Sequence, residues 1–347
     1  MIFLIIKKIL MFSSSKNLNK VKVFNYNVLT PKYCYPKKFP MNKKEDLDNH
    51  VRLNKIKKIF LEQMKNESII CLQEVTRDWS GVFQLLCDNN DYNFVKSLYG
   101  HPKNGYMGIV IAYPKKYKLV DLSIRRISEF INYEVKKKSY CRELIDSVSE
   151  FLTIKDIEDP IFDIAKNRYN TAIALKLQSK ENENSRPFWI VNYHMPCVWR
   201  HPEVMILHVT YLKKFIEKIS TWGCDDCIVA GDFNSKPDSI QYEILNNSTT
   251  VGLDNYFKNY TDLKLPKVDM KLESVYKIFH GKEPEATNYS YCNFNGTFKG
   301  TLDYIFVNNM KVLKVDEIGC IENYMPNQDD PSDHKPIYCE LEINDDL

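Results

Sequence analysis

The sequence lacks the features of several protein classes. Its 347 residues carry a formal net charge of only +3, which excludes a histone-like protein that binds through bulk positive charge. The ten cysteines follow no framework spacing, so a disulfide scaffold is excluded and a reducing, cytoplasmic location is expected. The C-x-x-C pair of Cys224 and Cys227 has no second pair to complete a zinc site. No repeat, linker or low-complexity tract interrupts the chain, which favours one domain.

No apolar run in the sequence is long enough to cross a membrane. The first twelve residues are apolar but broken by Lys7 and Lys8, whereas a spanning helix needs about 20 apolar residues. The same segment lacks a small-residue cleavage site and is a poor signal peptide. We therefore predict that residues 1–20 lie outside the fold, that residues 21–347 form a single domain, and that the protein has no stable membrane association.

Apolar patterns predict strands and helices that intermingle along the chain. Apolar runs predict strands at 21–29, 68–72, 107–113, 171–177, 188–193, 227–230, 301–307 and 337–343. Apolar residues at steps of three and four predict helices at 48–64, 79–87, 202–221 and 239–246. In the second of these helices, Val82, Leu85 and Leu86 are predicted to face the core. Residues 121–166 and 249–286 show little periodicity and are predicted to be irregular. Because many strands are apolar throughout, we predict an α+β fold of two packed β-sheets flanked by helices.

Polar residues follow apolar runs at several places. They are Asn27, Glu74, His194, the pair Asp232 and Asn234, and Asp303 together with Ser332-Asp333-His334. Because side chains alternate along a strand, Asp232 and Asn234 are expected to point the same way at the strand end. Each residue taken singly has an ordinary explanation, since Asn27 could cap a turn and Glu74 could cap a helix.

The whole set points to a more specific chemistry than its members do singly. Acids and amides without cysteine ligands match a hard cation such as Mg²⁺ or Mn²⁺. The two histidines supply donors for the developing charge of a phosphate, and an aspartate could orient one of them. Water, metal, carboxylate and imidazolium are the parts that phosphodiester hydrolysis requires.

The order of these motifs resembles the endonuclease/exonuclease/phosphatase superfamily, also called DNase I-like. The matching motifs are Tyr26-Asn27-Val28-Leu29, Leu72-Gln73-Glu74-Val75, Asn192-Tyr193-His194, Gly231-Asp232-Phe233-Asn234, Leu302-Asp303-Tyr304 and Ser332-Asp333-His334. The resemblance covers nearly the whole chain, from about residue 22 to residue 343. It implies a four-layer α/β sandwich, with the site at one edge of the paired sheets, in a single catalytic domain.

The resemblance also implies a metal site. It assigns the divalent ion, Mg²⁺ or Mn²⁺, to Glu74, with Asn27 beside it. It places Asp333 at the metal side of the same centre.

Five further residues receive catalytic roles from the resemblance. Asp232 aligns the attacking water and accepts its proton, and Asn234 holds a non-bridging phosphate oxygen. His194 contacts the scissile phosphate. His334 donates to the phosphate and is oriented by Asp303.

Other motifs resemble the CCR4/nocturnin/Angel branch, whose members are mostly 3′-to-5′ exoribonucleases, deadenylases or 2′,5′-phosphodiesterases. The run from Arg52 to Ile56 and the residue Asn170 carry this resemblance, and Arg52 and Asn170 are assigned to substrate binding. Trp199 is a further candidate for substrate binding, with core packing an equal alternative. Residues 195–199 replace the second histidine and Trp-Asp-Pro-like run usual in poly(A)-degrading members. The prediction is therefore a metal-dependent 3′-to-5′ exoribonuclease that acts on RNA, without a commitment to poly(A).

Several alternatives remain open at this point. Ser332-Asp333-His334-Lys335-Pro336 is also common in inositol polyphosphate 5-phosphatases, although those usually carry Cys-Asp-Arg where this chain has Leu302-Asp303-Tyr304. An abasic-site DNA endonuclease usually has a Trp-Asn opening that is absent here. A sphingomyelinase would favour secretion. A catalytically inactive scaffold that binds nucleic acid is expected to have lost Glu74, Asp232 or a histidine, and none is lost.

Overall fold

The computed structural model describes residues 20–131, 160–182, 185–221, 223, 225–246, 256–257, 265–293 and 296–343. In chain order its strands are β1 (Lys20–Asn27), β2 (Ile69–Val75), β3 (Tyr92–Leu98), β4 (Gly108–Pro114), β5 (Tyr117–Arg126), β6 (Thr171–Ser179), β7 (Phe188–His194), β8 (Asp226–Asp232), β9 (Glu273–Ser274), β10 (Asn288–Cys292), β11 (Gly296–Gly300), β12 (Asp303–Asn308), β13 (Met310–Val315) and β14 (Ile337–Ile343). Its α-helices are α1 (Asn49–Lys65), α2 (Arg77–Asp88), α3 (Pro160–Lys166), α4 (Pro202–Ile219), α5 (Ile240–Asn246) and α6 (Val275–His280). Except for Lys20, the predicted N-terminal segment 1–20 lies outside the described residues.

Two six-stranded sheets carry most of the strands. The first sheet has the order β13-β14-β1-β2-β4-β3, and the second has the order β5-β6-β7-β8-β12-β9. Each sheet contains one parallel pair, β1 with β2 and β7 with β8, among antiparallel neighbours. Strands β10 and β11 form a separate hairpin. Since parallel strands end at the same edge of a sheet, each sheet has one edge at which two strand ends lie side by side.

Because side chains alternate along a strand, each central strand packs against the other sheet with one face and against helices with its other face. In β1, Val23 packs between the two sheets, whereas Phe24 packs beneath α1 and α2. In β8, Ile228 packs between the sheets, whereas Val229 packs beneath α4. A strand that is buried on both faces is expected to have a continuous apolar sequence, and the sequence contains such apolar runs. The order helix, sheet, sheet, helix confirms the predicted four-layer sandwich.

Side-chain caps and regular apolar spacing explain the two helices on the first sheet. Asp48 accepts hydrogen bonds from the backbone amides of His50 and Val51 and so begins α1. Thr76 caps α2, whose buried face runs through Trp79, Phe83 and Cys87. We predicted that Val82, Leu85 and Leu86 would face the core, but Leu85 is 61% exposed. The four-residue step from Trp79 to Cys87 sets the buried face, and Leu85 lies on the opposite side of the helix.

Two segments predicted to be irregular contain regular structure. Strand β5 continues through Arg126 and a 3₁₀ turn follows, while α3 occupies Pro160–Lys166. Residues 132–159 of the predicted insertion lie outside the described part of the chain. Helix α6 lies within the second segment, and strands β3, β10, β11 and β13 were also missed. Edge strand β5 is mostly exposed, so it lacks the apolar run by which the central strands are recognised.

The described cysteines are free thiols, and Cys227 is buried as an apolar side chain in β8. Its C-x-x-C partner, Cys224, lies outside the described residues. Across the described ranges, no helix combines the length and apolarity that a bilayer span requires.

Candidate active site

Strand ends from both sheets meet at one edge of the sandwich. Asn27 and Glu74 lie at the carboxyl ends of β1 and β2 in the first sheet. In the second sheet, His194, Asp232 and Asp303 occupy matching register positions on the neighbouring strands β7, β8 and β12. The register of three adjacent strands therefore sets an imidazole and two carboxylates side by side.

Asp232 is the centre of this arrangement, and it is almost fully buried. Its Oδ2 accepts a hydrogen bond from Asn27 Nδ2 at 2.8 Å. The same oxygen lies 3.6 Å from His194 Nε2 and 3.7 Å from His334 Nε2. Its Oδ1 accepts the backbone N–H of Asn234 at 2.9 Å. Two imidazoles therefore face one carboxylate oxygen, which is the geometry needed to hold a water and a phosphate between donors and an acceptor.

Asp303 and His334 form a tight pair beside Asp232. His334 Nδ1 lies 2.7 Å from Asp303 Oδ2, and Thr287 Oγ1 donates to the same oxygen at 2.6 Å. Burial by itself lowers the pKa of His334, but the charges of Asp303 and Asp232 outweigh it and raise this pKa well above its ordinary value. The two carboxylates therefore favour the protonated form of the His334 imidazole. Thr287 had no signal in the sequence.

His194 is held from two sides. The hydroxyl of Tyr99 lies 3.3 Å from His194 Nδ1, and Asn170 Nδ2 donates to the backbone carbonyl of His194 at 2.8 Å. Burial raises the pKa of Tyr99 above its ordinary value, so its hydroxyl stays neutral. When Tyr99 donates to Nδ1, the neutral imidazole carries its proton on Nε2, which faces Asp232. Tyr99 was not identified from the sequence because no motif marks it.

Glu74 and Asn27 hold each other in place. Glu74 Oε2 accepts the backbone N–H of Thr30 at 2.8 Å, and Oε1 lies 3.4 Å from Asn27 Nδ2. The oxygen of Asn27 accepts the backbone N–H of Leu29 at 3.0 Å. Asn27 was predicted to lie beside the ion as a ligand. It instead turns its amide nitrogen toward Glu74 and Asp232, which suits a residue that orients carboxylates.

The donor set fits a hard cation. Asp232, Asp303 and His334 each offer one ligand atom, and these atoms all lie within 4.8 Å of one another. In the described part of the chain, Oδ1 of Asp303 and Oδ1 of Asp333 are buried without a hydrogen-bond partner. Buried carboxylate oxygens without donors are costly unless a cation or another donor approaches them.

A buried amide network joins the two sheets directly behind the site. Gln73 Nε2 donates to Asn25 Oδ1 at 2.7 Å and to Asn192 Oδ1 at 2.8 Å. Asn192 Nδ2 in turn donates to the carbonyls of Leu72 and Val110. All three amides are fully buried. Each lies one or two residues before a residue of the site, so the network fixes the strand ends that carry the chemistry. In the sequence, Gln73 and Asn192 are parts of the matching motifs, and no pattern marks the network that joins them to Asn25.

The backbone is also constrained around the site. Glu74 and Asn234 adopt positive φ values of 59° and 48°. Left-handed conformations at residues other than glycine are costly and cluster at functional sites. Next to Asp232, a Cβ added to Gly231 would lie 2.0 Å from the carbonyl oxygen of Tyr193. Only glycine lets β7 and β8 approach this closely.

A pocket of about 900 Å³ opens above these residues. Asn170, Trp199 and Lys38 line it, together with the site residues His194, Asp232 and His334. Trp199 is 57% exposed, which removes core packing as its explanation. The assignment of Asn170 and Trp199 to substrate binding remains a prediction.

Arg52 has a different role from the one predicted. Its side chain is fully buried and absent from the pocket lining. Its guanidinium donates to the carbonyls of Val28, Leu29 and Pro331 at 2.6–2.7 Å. It therefore joins the loop after β1 to the loop that carries Asp333, outside the pocket lining. The sequence alone does not distinguish an arginine that braces loops from one that binds phosphate.

Comparison with known proteins gives distant sequence relatives. Carbon catabolite repressor protein 4 homolog 4 of Arabidopsis thaliana is 25% identical over 207 residues, which cover 54% of this chain and 45% of that protein. 2′,5′-Phosphodiesterase 12 of Rattus norvegicus is 23% identical, with coverage of 92% and 51%. RNA exonuclease NGL1 of Saccharomyces cerevisiae is 22% identical, with coverage of 92% of both chains. The chain thus spans about half the length of the first two relatives.

Solved structures show the same fold. The human nocturnin catalytic domain with bound sulfate has a TM-score of 0.61 at 20% identity, covering 94% of this chain and 95% of that one. ANGEL2, described as a 2′,3′-cyclic phosphatase and bound to adenosine-2′,3′-vanadate, has a TM-score of 0.65 at 17% identity, with coverage of 93% and 96%. The relatives include CCR4- and nocturnin-type proteins, as the motifs predicted. The model of the Endonuclease/Exonuclease/phosphatase family matches residues 25–334. The chain belongs to this family, whose members include hydrolases that act on phosphodiester bonds.

Proposed function

We propose that this protein is a divalent-metal-dependent 3′-to-5′ exoribonuclease. The observation that carries the proposal is the position of both histidine Nε2 atoms within 3.7 Å of the same oxygen of Asp232. A phosphate placed there meets two imidazoles on one side and a carboxylate that can accept a proton from water on the other. A scaffold without activity would have no need to keep all three groups in this register.

Glu74 is the residue that we assign to the metal ion, with Asp333 at the same centre. Oδ2 of Asp303 is already occupied by Nδ1 of His334, so we place the ion nearer Glu74, the carboxylate that the family resemblance assigns to it. A bound Mg²⁺ or Mn²⁺ would supply Lewis-acid stabilisation of the phosphoryl oxygens. The ordinary preference of Mg²⁺ for one or two carboxylates and several waters fits this set.

The chain's own residues divide the remaining work. Asp232 orients the attacking water and takes its proton, while Asn27 fixes the carboxylate through its amide. Protonated His334 donates to the phosphate from a position set by Asp303. Asn234 uses one amide hydrogen on the carbonyl of Met195, which leaves the other for a non-bridging phosphate oxygen.

The names of the relatives support RNA as the substrate. One is an RNA exonuclease and another a 2′,5′-phosphodiesterase. The second name makes 2′,5′-linked oligoadenylate the competing substrate, because that relative aligns with 92% of this chain. Both substrates contain a phosphodiester on a ribose 5′ oxygen and differ in whether the 3′ or the 2′ oxygen of the neighbouring ribose is esterified.

A 5′-labelled single-stranded RNA incubated with Mg²⁺ tests the proposal. We expect a ladder that shortens from the 3′ end, no ladder from Asp232→Asn, and an unchanged ladder from the exposed control Asp238→Asn. Matched panels of 2′,5′-oligoadenylate, abasic DNA and inositol phosphates should be cut more slowly. Internal cuts at the earliest times would contradict the exonuclease proposal, and preference for DNA or inositol phosphates would contradict the RNA assignment.

A further inference from the structure

An exposed aromatic ring is held on the wall of the active-site pocket. Tyr169 lines the pocket and is 56% exposed. The guanidinium carbon of Arg126 lies 4.1 Å from the centre of the Tyr169 ring, so a cation covers part of the ring. The remaining surface of the ring is left to solvent and to the pocket. The ring is not part of the core, and its open face is available to a molecule that enters the pocket.

Hydrogen bonds make Arg126 a fixed support for this ring. Arg126 Nε donates to Ser128 Oγ at 2.7 Å and to the carbonyl of Arg168 at 3.2 Å. Its Nη2 donates to the carbonyl of Lys166 at 2.7 Å. The guanidinium thereby ties down the turn that carries Tyr169 and stacks on the ring at the same time. A ring fixed beforehand loses little conformational freedom when it binds a flat partner.

The same turn is attached to the catalytic residues. Asn170, the residue after Tyr169, accepts the backbone N–H of Ile127 at 3.2 Å and donates to the carbonyl of His194 at 2.8 Å. Tyr169 is therefore the sequence neighbour of a residue that directly contacts the strand end carrying His194. Trp199, a second exposed ring of the pocket, also carries an arginine, with the Arg200 guanidinium 5.2 Å from its centre.

We propose that Tyr169 is a stacking platform for a nucleobase of the single-stranded RNA whose phosphodiester lies at Asp232. A nucleobase is the flat, polarisable group that an open tyrosine face accepts, and Arg126 behind the ring and Arg168 on the same wall favour an anionic strand. Stacking accepts any base, so the platform grips the strand without selecting its sequence. Double-stranded RNA keeps its bases stacked on one another and cannot use the platform. This inference rests on the proposed function.

Binding of an RNA with 2-aminopurine near its 3′ end tests the platform. The measurement uses the Asp232→Asn background, in which the strand is bound without being cut. We expect Tyr169→Leu to raise Kd about tenfold and to remove the fluorescence quenching that a stacked base shows. Tyr169→Phe keeps the ring and should stay within about twofold of its parent. Phe279→Leu removes an exposed ring outside the pocket, so Kd and quenching should not change.

Activity measurements separate this inference from the proposed function. In the otherwise unchanged protein, Tyr169→Leu should raise KM for single-stranded RNA with little change in kcat, and should hydrolyse bis-p-nitrophenyl phosphate at the wild-type rate. If wild type cuts RNA but Tyr169→Leu binds and quenches like its parent, the platform is refuted and the proposed function stands. Equal losses in Tyr169→Phe and Tyr169→Leu would assign the effect to the hydroxyl and also refute stacking. A wild type that neither binds nor cuts RNA overturns both.

Discussion

The floor and the rim of the pocket are built in different ways. We call the polar residues at and beside the strand ends the floor: Asn27, Glu74, His194, Asp232, Asp303 and His334. We call the loop residues at the mouth the rim: Lys38, Tyr169, Asn170 and Trp199. Sheet register and buried hydrogen bonds fix the floor, whereas Tyr169 and Trp199 of the rim are more than half exposed. Under the proposed function, the floor carries out the reaction and the rim holds the substrate.

The largest effect of a single floor change outside Asp232 and Glu74 is expected at Asp303. Asp303→Asn keeps the shape but removes the charge that orients His334, so kcat should fall by about 10²- to 10³-fold. Asp303 helps to raise the pKa of His334, so its removal lowers this pKa. When the pH is raised, the variant should therefore lose activity at a lower pH than wild type does. A pH–rate profile of both proteins, with the exposed Asp121→Asn as control, checks this. An unshifted alkaline limb would show that the pair is not functional.

A buried histidine beneath the rim gives the next effect. His208 lies between the hydroxyl of Tyr193 at 3.0 Å and the carbonyl of Ala165 at 3.0 Å, and so links the strand of His194 to α3. Burial lowers its pKa to about 4, from an ordinary value of 6.5. The folded state therefore resists protonation, and its stability is complete above about pH 6.5 and falls as the pH drops toward 4, by up to about 3 kcal/mol.

Urea unfolding between pH 7 and pH 4.5 measures this loss. Wild type should lose more stability over this range than His208→Gln, in which no group titrates at that position. The exposed His50→Gln should follow wild type. Parallel curves for wild type and His208→Gln would contradict the assignment of a lowered pKa to His208.

A substitution in the buried amide network behind the floor is expected to have a smaller effect. Gln73→Leu keeps the volume but leaves Asn25 Oδ1 and Asn192 Oδ1 without their donor, which should cost about 2 kcal/mol of unfolding free energy. The rate should fall as well, because the strand ends lose their cross-link. Thermal and urea unfolding test the first effect. Gln84→Leu on the exposed face of α2 should change stability by less than about 0.5 kcal/mol, and an equal loss in both variants would show that the network is unimportant.

The smallest effect is expected for a substitution in the rim. Lys38 lines the pocket with its ammonium 5.1 Å and 5.0 Å from the rings of Tyr33 and Phe39. Lys38→Ala should raise KM for RNA about threefold, leave kcat unchanged, and reduce the slope of log Kd against log salt concentration by about one. Lys118→Ala, on exposed β5, is the matched control. A fall in kcat for Lys38→Ala would place this lysine among the catalytic groups and remove the distinction between floor and rim.

The floor could be predicted from the sequence, and so could Asn170 and Trp199 as candidates on the rim, whereas Tyr169 could not. Asp232 and His194 end apolar runs, and strand alternation and register then determine their neighbours, so their motifs carry geometric information. Arg52 and Leu85 show the limit, since whether an arginine braces loops or a leucine faces solvent depends on tertiary packing. Tyr99 contacts His194 and Thr287 contacts Asp303 from distant segments, and no local pattern marks these two residues. The edge strand β5 was missed for the same reason, because its exposed residues lack a regular pattern.

The convergence of the two sheets on one phosphodiester is tested most directly by a double-mutant cycle. Glu74→Gln and Asp232→Asn change one floor residue from each sheet, and hydrolysis of single-stranded RNA is measured over a Mg²⁺ titration. Each single variant should lose about 10³-fold in kcat, and the double variant should be no slower than the worse single one, because residues that act as a unit are not additive. Wild-type rates in either single variant, or losses that add in full, would contradict a shared catalytic centre.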